Sequence, residues 1–294
     1  MGHSLLLTGG TGFLGSHLLR LLLDNGFEVV ALKRPSSDLE RVAHCLDEAV
    51  FVDVGERPLR EIMLAHNVSV VVHAACNHGH DGADIGAVVQ TNVLFGIDLL
   101  QAATHCGVSL FINTDTLLEA GVNPYALSKK QFLQWLPYFS TQLPIANLRL
   151  GNIYGPGEAS SGFLSWFIGE LERGAEEIRL TPGEQLRDFI HVRDVCSVFL
   201  KVLGLTPKQG LQELDVGSGE FYSLKAFALR ALSVYEEEIG AVRTRLNFGA
   251  LPYRRDEVMQ PNFDATALFA LGWKPALSLE EGLRQTIRAR RRGN

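Results

Sequence analysis

Tyr125 and Lys129 lie four residues apart in Tyr125-Ala126-Leu127-Ser128-Lys129, where Pro124 opens a predicted helix running to Tyr138. That spacing puts phenol and ammonium on one helix face. A nearby ammonium lowers a phenol's pKa toward the working pH, which makes Tyr125 a usable general acid or base. A second group of residues suits phosphate. The turn Thr8-Gly9-Gly10-Thr11-Gly12-Phe13-Leu14-Gly15 joins an apolar run to a leucine-rich helix. There Gly9 takes the tight bend, Gly12 lets the backbone approach a pyrophosphate, and Gly15 lets helix and sheet pack closely. The helix start adds N–H donors and a positive dipole. A dinucleotide is the expected ligand, with Gly9, Thr11, Gly12, Phe13, Leu14 and Gly15 around it.

The end of the second apolar run selects among dinucleotides. An acidic residue there would accept from a ribose 2′-hydroxyl. This chain instead reads Ala31-Leu32-Lys33-Arg34-Pro35-Ser36-Ser37. Two cations and two hydroxyls suit a 2′-phosphate, which Arg34 can grip with two hydrogen bonds. NADP(H) is therefore expected, with NAD(H) as the alternative. Asp53, followed by Val54, closes the third run and either bonds the adenine amino group or serves as a plain turn residue. Ala74 and Ala75 close the fourth, above the expected nicotinamide.

Positioning these residues requires a scaffold, and the chain supplies an alternating one. Leu5–Thr8, Glu28–Lys33, Val50–Asp53, Val68–Ala75, Ser109–Thr114 and Ile145–Leu150 read as buried strands. Gly12–Asn25, Leu59–His66, Val88–His105 and Pro124–Tyr138 between them carry apolar residues at helical spacing. Strand and helix in alternation imply a doubly wound parallel sheet. After Leu150 the rhythm breaks in a Gly-, Pro- and Ser-rich stretch. Residues 1–150 are expected to form the dinucleotide domain and residues 151–294 a smaller lobe interleaved with it. That lobe would hold helices near Phe163–Glu172 and His191–Leu203 and a strand near Leu214–Val216.

Composition narrows the class. The 294 residues carry 27 Lys and Arg against 33 Asp and Glu, a net charge of −6, and are 46% hydrophobic. An ordinary core can form, and no basic stripe favours nucleic acid. Arg290, Arg291 and Arg292 read as cations at the end of a last helix. The four cysteines are too widely spaced for a thiol metal site or a disulfide framework. With no leader pattern and no apolar run of membrane-spanning length, a cytoplasmic chain is expected.

Further phrases then appear in a set order. Asn113-Thr114-Asp115-Thr116 precedes the Tyr-Lys helix; Leu148-Arg149-Leu150-Gly151-Asn152-Ile153-Tyr154-Gly155-Pro156-Gly157, Arg187-Asp188-Phe189-Ile190-His191-Val192-Arg193-Asp194-Val195 and Leu271-Gly272-Trp273-Lys274-Pro275 follow it. With these the chain resembles, over essentially its whole length, the extended short-chain dehydrogenases/reductases of the NAD(P)-dependent epimerase/dehydratase family. The resemblance implies a Rossmann-type α/β fold with a C-terminal α/β substrate-binding lobe, and an enzyme acting on nucleotide sugars. It makes Thr114, Tyr125 and Lys129 catalytic: Tyr125 moves the proton, Lys129 also holds the nicotinamide ribose, and Thr114 donates to the sugar oxygen. It assigns Asn152, Arg187 and, from Pro252-Tyr253-Arg254-Arg255-Asp256-Glu257-Val258, Arg254 to the substrate's phosphates.

Three reactions share that scaffold. A dehydratase of the family carries Asp-Glu after the threonine, whereas here Asp115 is followed by Thr116, so the proton-abstracting Glu is missing. An epimerase retains NAD, which the Lys33-Arg34 pair disfavours. Local phrases, including Phe111-Ile112-Asn113-Thr114-Asp115-Thr116 and Gly183-Glu184-Gln185-Leu186-Arg187-Asp188-Phe189, resemble CDP-abequose and CDP-paratose synthases, which make O-antigen sugars. That likeness implies NADPH-dependent reduction of a nucleotide-linked 4-keto-6-deoxyhexose, CDP- or dTDP-linked, with epimerase or dehydratase as the alternative. A non-catalytic NADP(H)-sensing protein is disfavoured by the presence of Thr114, Tyr125 and Lys129 together. In Cys76-Asn77-His78-Gly79-His80-Asp81, the mixed spacing fits no metal pattern, and His78 or His80 is expected to touch the sugar beside Asp115. His73 reads as a satisfied strand-end histidine. The family pairs the helices Val88–His105 and Pro124–Tyr138 across a homodimer, with Phe132, Leu133 and Trp135 as contacts.

Overall fold

In the computed structural model, which describes residues 4–79, 82, 84–255 and 257–293, the apolar runs become strands, most of them buried along nearly their whole length, whereas in Val50–Asp53 only Val52 is buried. In chain order the first elements are β1 (Ser4–Thr8), α1 (Phe13–Asp24), β2 (Glu28–Lys33), β3 (Val50–Asp53), α2 (Leu59–Ala65) and β4 (Val68–His73). Then come α3 (Ile85–Val89), α4 (Phe95–His105), β5 (Leu110–Thr116), α5 (Pro124–Leu133), α6 (Leu136–Phe139) and β6 (Ile145–Leu150). β7 (Asn152–Tyr154), α7 (Phe163–Glu172), β8 (Glu177–Leu180), β9 (Leu186–His191) and α8 (Val192–Leu203) follow. The chain finishes with β10 (Leu211–Val216), β11 (Phe221–Ser223), α9 (Leu224–Glu238), β12 (Arg245–Phe248), α10 (Thr266–Ala270) and α11 (Leu279–Gly293).

Seven strands form one sheet in the order β10-β6-β5-β4-β1-β2-β3. The pairs from β3 through β6 are parallel. Strand order reverses at β1, which lies between β2 and β4, and in such sheets ligands bind outside the carboxyl ends at that switch point. Thr8 and His73 face each other there. This is the Rossmann-type, doubly wound α/β fold that the alternating pattern predicts.

The chain divides into two compact units, one running to Leu150 and including Cys196–Leu214, the other comprising Gly151–Val195 and Asp215–Asn294. In the first, Leu6, Val30, Val71, Phe111, Leu99 and Leu100 join one buried cluster. Each such side chain contributes roughly 1.5–3 kcal/mol by leaving water. The second unit holds a three-stranded sheet, β11-β9-β7, and the parallel pair β12-β8. Its core centres on Phe167, Phe189, Phe227 and Leu283, with the Phe189 and Phe227 rings stacked 3.7 Å apart.

Several local expectations are corrected. The helix expected at Val88–His105 begins three residues earlier, at Ile85, and carries a π turn over Gln90–Leu94. The run Ile85–His105 has 21 residues and contains an 18-residue stretch with a mean hydropathy of 1.3, so one helix among the described residues is long and apolar enough to cross a membrane, contrary to expectation. Leu99, Leu100, Ala102 and Ala103 account for much of that apolarity by packing in the first unit's core. The helix from Pro124 breaks after Leu133, and the short α6 restarts with Pro137 in its first turn. Phe132 is 1% exposed and packs in the core against Gly96, so only the half-buried Leu133 and the exposed Trp135 remain to supply an outer face. The strand expected in the second lobe, β10, is an edge of the seven-stranded sheet.

Candidate active site

The phosphate turn owes its shape to two glycines. Gly9 has φ +74°, in the region that side chains avoid, and a Cβ on it would lie 2.6 Å from the Ala75 nitrogen. A Cβ on Gly15 would lie 2.0 Å from the Gly9 carbonyl oxygen. Gly12 caps α1 without any side-chain cap bond, leaving the first-turn N–H groups facing outward. The first hydrogen bond of the helix is Ser16 N–H to the Gly12 carbonyl, 2.9 Å. This is a bare cradle whose chemistry fits a pyrophosphate. Thr11 and Phe13 are half-buried on its rim and Leu14 lies in the same turn.

Beside it, a short network fixes the end of β4. Thr8 Oγ1 shares a 2.8 Å hydrogen bond with His73 Nδ1 and accepts one from the Ala75 N–H at 3.1 Å. The Thr8 carbonyl accepts from Ala74 N–H at 3.3 Å. His73 is fully buried among Phe95, Phe111 and Phe132, and burial pushes its imidazole down to about 3, so it is neutral. Its Nε2 is buried without a hydrogen-bond partner, which departs from the expectation of a fully satisfied histidine.

At the ends of β2 and β3, Lys33 and Asp53 form an ion pair. The cation expected on a 2′-phosphate and the carboxylate expected at adenine are thus each other's partners. Arg34 is exposed, with its backbone N–H on Ser37 Oγ at 3.1 Å, and remains the cation presented to solvent at this corner. The Val54 N–H donates to the Lys33 carbonyl at 2.8 Å and so holds the two strand ends in register.

α5 starts where its sequence dictates: the Asn123 side chain accepts from Ala126 N–H at 2.8 Å, and Pro124 sits in the first turn with no N–H to satisfy. That start brings Tyr125 to the end of β5. Thr114 is 5% exposed and its hydroxyl donates to the His73 carbonyl at 3.0 Å. Tyr125 is half-buried beside Thr116, while Lys129 is buried. Burial first, then the Cys76 and Asp115 charges, hold the Tyr125 phenol above its ordinary range. The lowering that the Lys129 spacing predicts is not among the influences on the phenol, and burial pushes the Lys129 ammonium itself down.

Asp115, expected to meet substrate, instead points inward. Its carboxylate accepts from Lys130 Nζ at 3.0 Å, Asn147 Nδ2 at 3.3 Å and the Thr116 N–H at 2.7 Å, and the side chain has no exposed surface. Sequence reasoning missed Lys130 and also Asn92. Asn92, 0% exposed in the π turn, accepts from Asn77 N–H at 2.7 Å and donates to the Asn77 carbonyl and to Ser128 Oγ, both at 2.8 Å. A polar residue inside an apolar helix was the available signal. His78 lies with its ring centroid 4.6 Å from that of Tyr125 and its Nε2 3.3 Å from Cys76 Sγ. His80 and Asp81 fall outside the described residues. Among those described, no three His, Cys, Asp or Glu side chains are grouped to hold a metal.

In the second unit, Asn152 and Arg254 are exposed. Arg187 is half-buried and already engaged: Nη2 donates to Glu257 Oε1 at 2.5 Å, and Nη1 to the Val258 and Leu186 carbonyls at 2.5 and 2.7 Å. Asp188 holds the turn after β10 by accepting from Ser218 and Gly219 N–H groups at 2.8 and 2.7 Å. Arg290, at the end of the last helix, reaches Glu172 and Ser165, each at 2.9 Å, so it is a packed residue of this unit.

A bare phosphate cradle at the switch point of a doubly wound sheet, with a hydroxyl, a tyrosine and a lysine at the neighbouring strand and helix, defines a nicotinamide-dinucleotide enzyme of the extended short-chain type. Residues 5–213 match the NAD dependent epimerase/dehydratase family, and the chain belongs to it. It is 28% identical to the CDP-abequose synthase of Salmonella muenchen, covering 96% of each chain. The UDP-glucose 4-epimerase of Thermotoga maritima, solved with UDP-glucose, superposes with a TM-score of 0.84 at 25% identity over 99% of each chain. MoeE5, solved with UDP-glucuronic acid and NAD, gives 0.82 at 25% identity over 99% of this chain and all of that one.

Proposed function

We propose that the protein reduces the C4 carbonyl of a nucleotide-linked 4-keto-6-deoxyhexose or 3,6-dideoxyhexose, in the building of deoxysugars such as those of O-antigens. The observation that carries this reading is the β5 end: Tyr125 stands beside Asp115 and Thr116, and Thr116, at the position from which a dehydratase would abstract a carbon-bound proton, has no basic group. The likeness to CDP-abequose synthase over 96% of the chain supports it, and CDP or dTDP is the proposed carrier.

NADP(H), when bound, supplies the hydride. Gly9, Gly12 and Gly15 admit its pyrophosphate, Arg34 takes the 2′-phosphate, and Ala74 and Ala75 border the nicotinamide. Tyr125 enters the reaction protonated, since burial keeps its phenol neutral, and gives that proton to the C4 oxygen. Thr114 would orient the same oxygen by turning its one hydroxyl proton away from the His73 carbonyl that now accepts it. Lys129 holds the ribose and steadies the phenolate left behind. Asn152 and Arg254 take substrate phosphates, and Arg187 joins them by exchanging Glu257 for the diphosphate.

Replacing Tyr125 by Phe tests the assignment. Turnover of the keto sugar is expected to fall by about 10²–10⁴-fold with NADPH affinity preserved; full turnover in Tyr125→Phe removes the proton donor from the reading. The chain is further proposed to act as a cytoplasmic homodimer, and a monomer in sedimentation would exclude that assembly.

A further inference from the structure

Four cysteines occur in the chain, and their surroundings differ. Cys45 and Cys196 are buried, and Cys106 rests against the Arg60 carbonyl at 3.7 Å. Cys76 alone stands next to an imidazole that in turn lies on a tyrosine: Sγ is 3.3 Å from His78 Nε2, and the His78 and Tyr125 ring centroids are 4.6 Å apart at 38°. The backbone repeats this connection. The Tyr125 carbonyl accepts from Ser128 Oγ at 2.7 Å, Ser128 Oγ accepts from Asn92 at 2.8 Å, and Asn92 grips both backbone polar groups of Asn77, the residue before His78. One helix turn of α5 therefore carries Tyr125 and also anchors the loop that covers it.

A tyrosine ring near a helix start can turn about two side-chain torsions, and a proton donor displaced by about 1 Å loses on the order of 10²-fold in rate. We propose that Cys76 and His78 form a brace that fixes the Tyr125 ring, which makes both of them positioning residues for proton delivery. The proposal rests on the reading of Tyr125 as the proton donor. Cys76 fixes the imidazole through Nε2, and the imidazole face fixes the phenol and keeps water from one side of it. The groups facing Tyr125 are Cys76 from the loop after β4 and Asp115 and Thr116 from β5, with Lys129 acting on the Cys76–His78 pair. Their balance agrees with the geometry: the pairing draws the Cys76 thiol down and the His78 imidazole up.

The test compares His78→Ala with His78→Phe, and Cys76→Val with Cys76→Ser. Two readouts are taken, steady-state constants with the keto sugar and the ultraviolet titration of Tyr125 in each background against its Tyr125→Phe counterpart. His78→Ala is expected to lower kcat about tenfold with KM within about threefold, because orientation rather than binding is lost. Water admitted to the phenol should also bring its titration down toward the ordinary phenol range. His78→Phe should recover the titration, since a ring face is enough to exclude water, and part of the kcat, since it lacks the Nε2 that Cys76 holds; Cys76→Ser should recover most of what Cys76→Val loses. A raised KM with kcat and titration unchanged, or a Phe variant as impaired as Ala, would overturn the brace and make His78 a polar substrate ligand. The titration needs no substrate. If none of the keto sugars is turned over, it still decides the brace while the proposed reaction fails separately.

Discussion

The Lys33 ammonium sits on the Asp53 carboxylate, tying the end of β2 to the end of β3 at the corner where a dinucleotide's adenosine ribose would lie. The two side chains satisfy each other, which leaves Arg34 as the exposed cation for a 2′-phosphate. Arg34→Ala should therefore weaken NADPH binding by about 10–100-fold, the scale of one or two charge-assisted hydrogen bonds, and NADH binding by less than about threefold. Asp53→Asn, by releasing Lys33, should tighten NADPH. Fluorescence titration with both cofactors checks this; equal losses for the two in Arg34→Ala would mean that Arg34 does not read the phosphate.

Asp115 and Lys130 form a pair with no exposed surface on the carboxylate side. Removing only the cation strands a buried charge, so Lys130→Met should destabilise the fold by about 3 kcal/mol. Asp115→Asn combined with Lys130→Met should recover much of that loss, because the stranded charge is gone. Denaturant unfolding of the single and double variants measures the difference, and additive losses would contradict the pairing.

Glu158 is held near neutrality by burial, its carboxyl pushed up to about 7 despite the Arg290 charge and a backbone hydrogen bond that oppose the shift. One of its oxygens is buried without a partner. A carboxyl whose folded pKa exceeds its unfolded one contributes stability that is fully present below about 4.5 and is lost as pH rises through about 7. Glu158→Gln is thus expected to be more stable than the parent by roughly 1–3 kcal/mol at pH 8. The difference should shrink toward zero as pH falls below 4.5. Melting temperatures across that window test the sign, and a variant less stable at pH 8 would contradict it.

The parts of this molecule that were legible in its residues are those encoded locally. The Gly9-to-Gly15 turn follows from one strand, one helix and backbone space; α5 starts at Pro124 because Asn123 caps it; β1, β2, β4, β5 and β6 are visible because they are buried along most of their length. What stayed hidden depends on residues distant in sequence. Lys33 meets Asp53 across 20 positions, Asp115 meets Lys130 across 15 and Arg187 meets Glu257 across 70, and charge alone does not reveal which cations are already taken. The same holds for Tyr125. Its spacing to Lys129 was plain, but the burial that outweighs that ammonium comes from the fold around it. The π turn at Gln90–Leu94 escaped because apolar periodicity barely changes across one widened turn. Asn92 gave the one local hint of it.

Reduction of a 4-keto sugar is tested most directly by following nicotinamide absorbance with purified protein and NADPH. CDP- and dTDP-4-keto-6-deoxyglucose and the CDP-linked 3,6-dideoxy-4-ketohexose are offered separately. Stoichiometric loss of NADPH with one of them, abolished in Tyr125→Phe, is the predicted result and would identify the carrier nucleotide at the same time. No loss with any of the three, together with epimerised or dehydrated product from a simple nucleotide hexose and no net change in cofactor, would contradict the reductase reading.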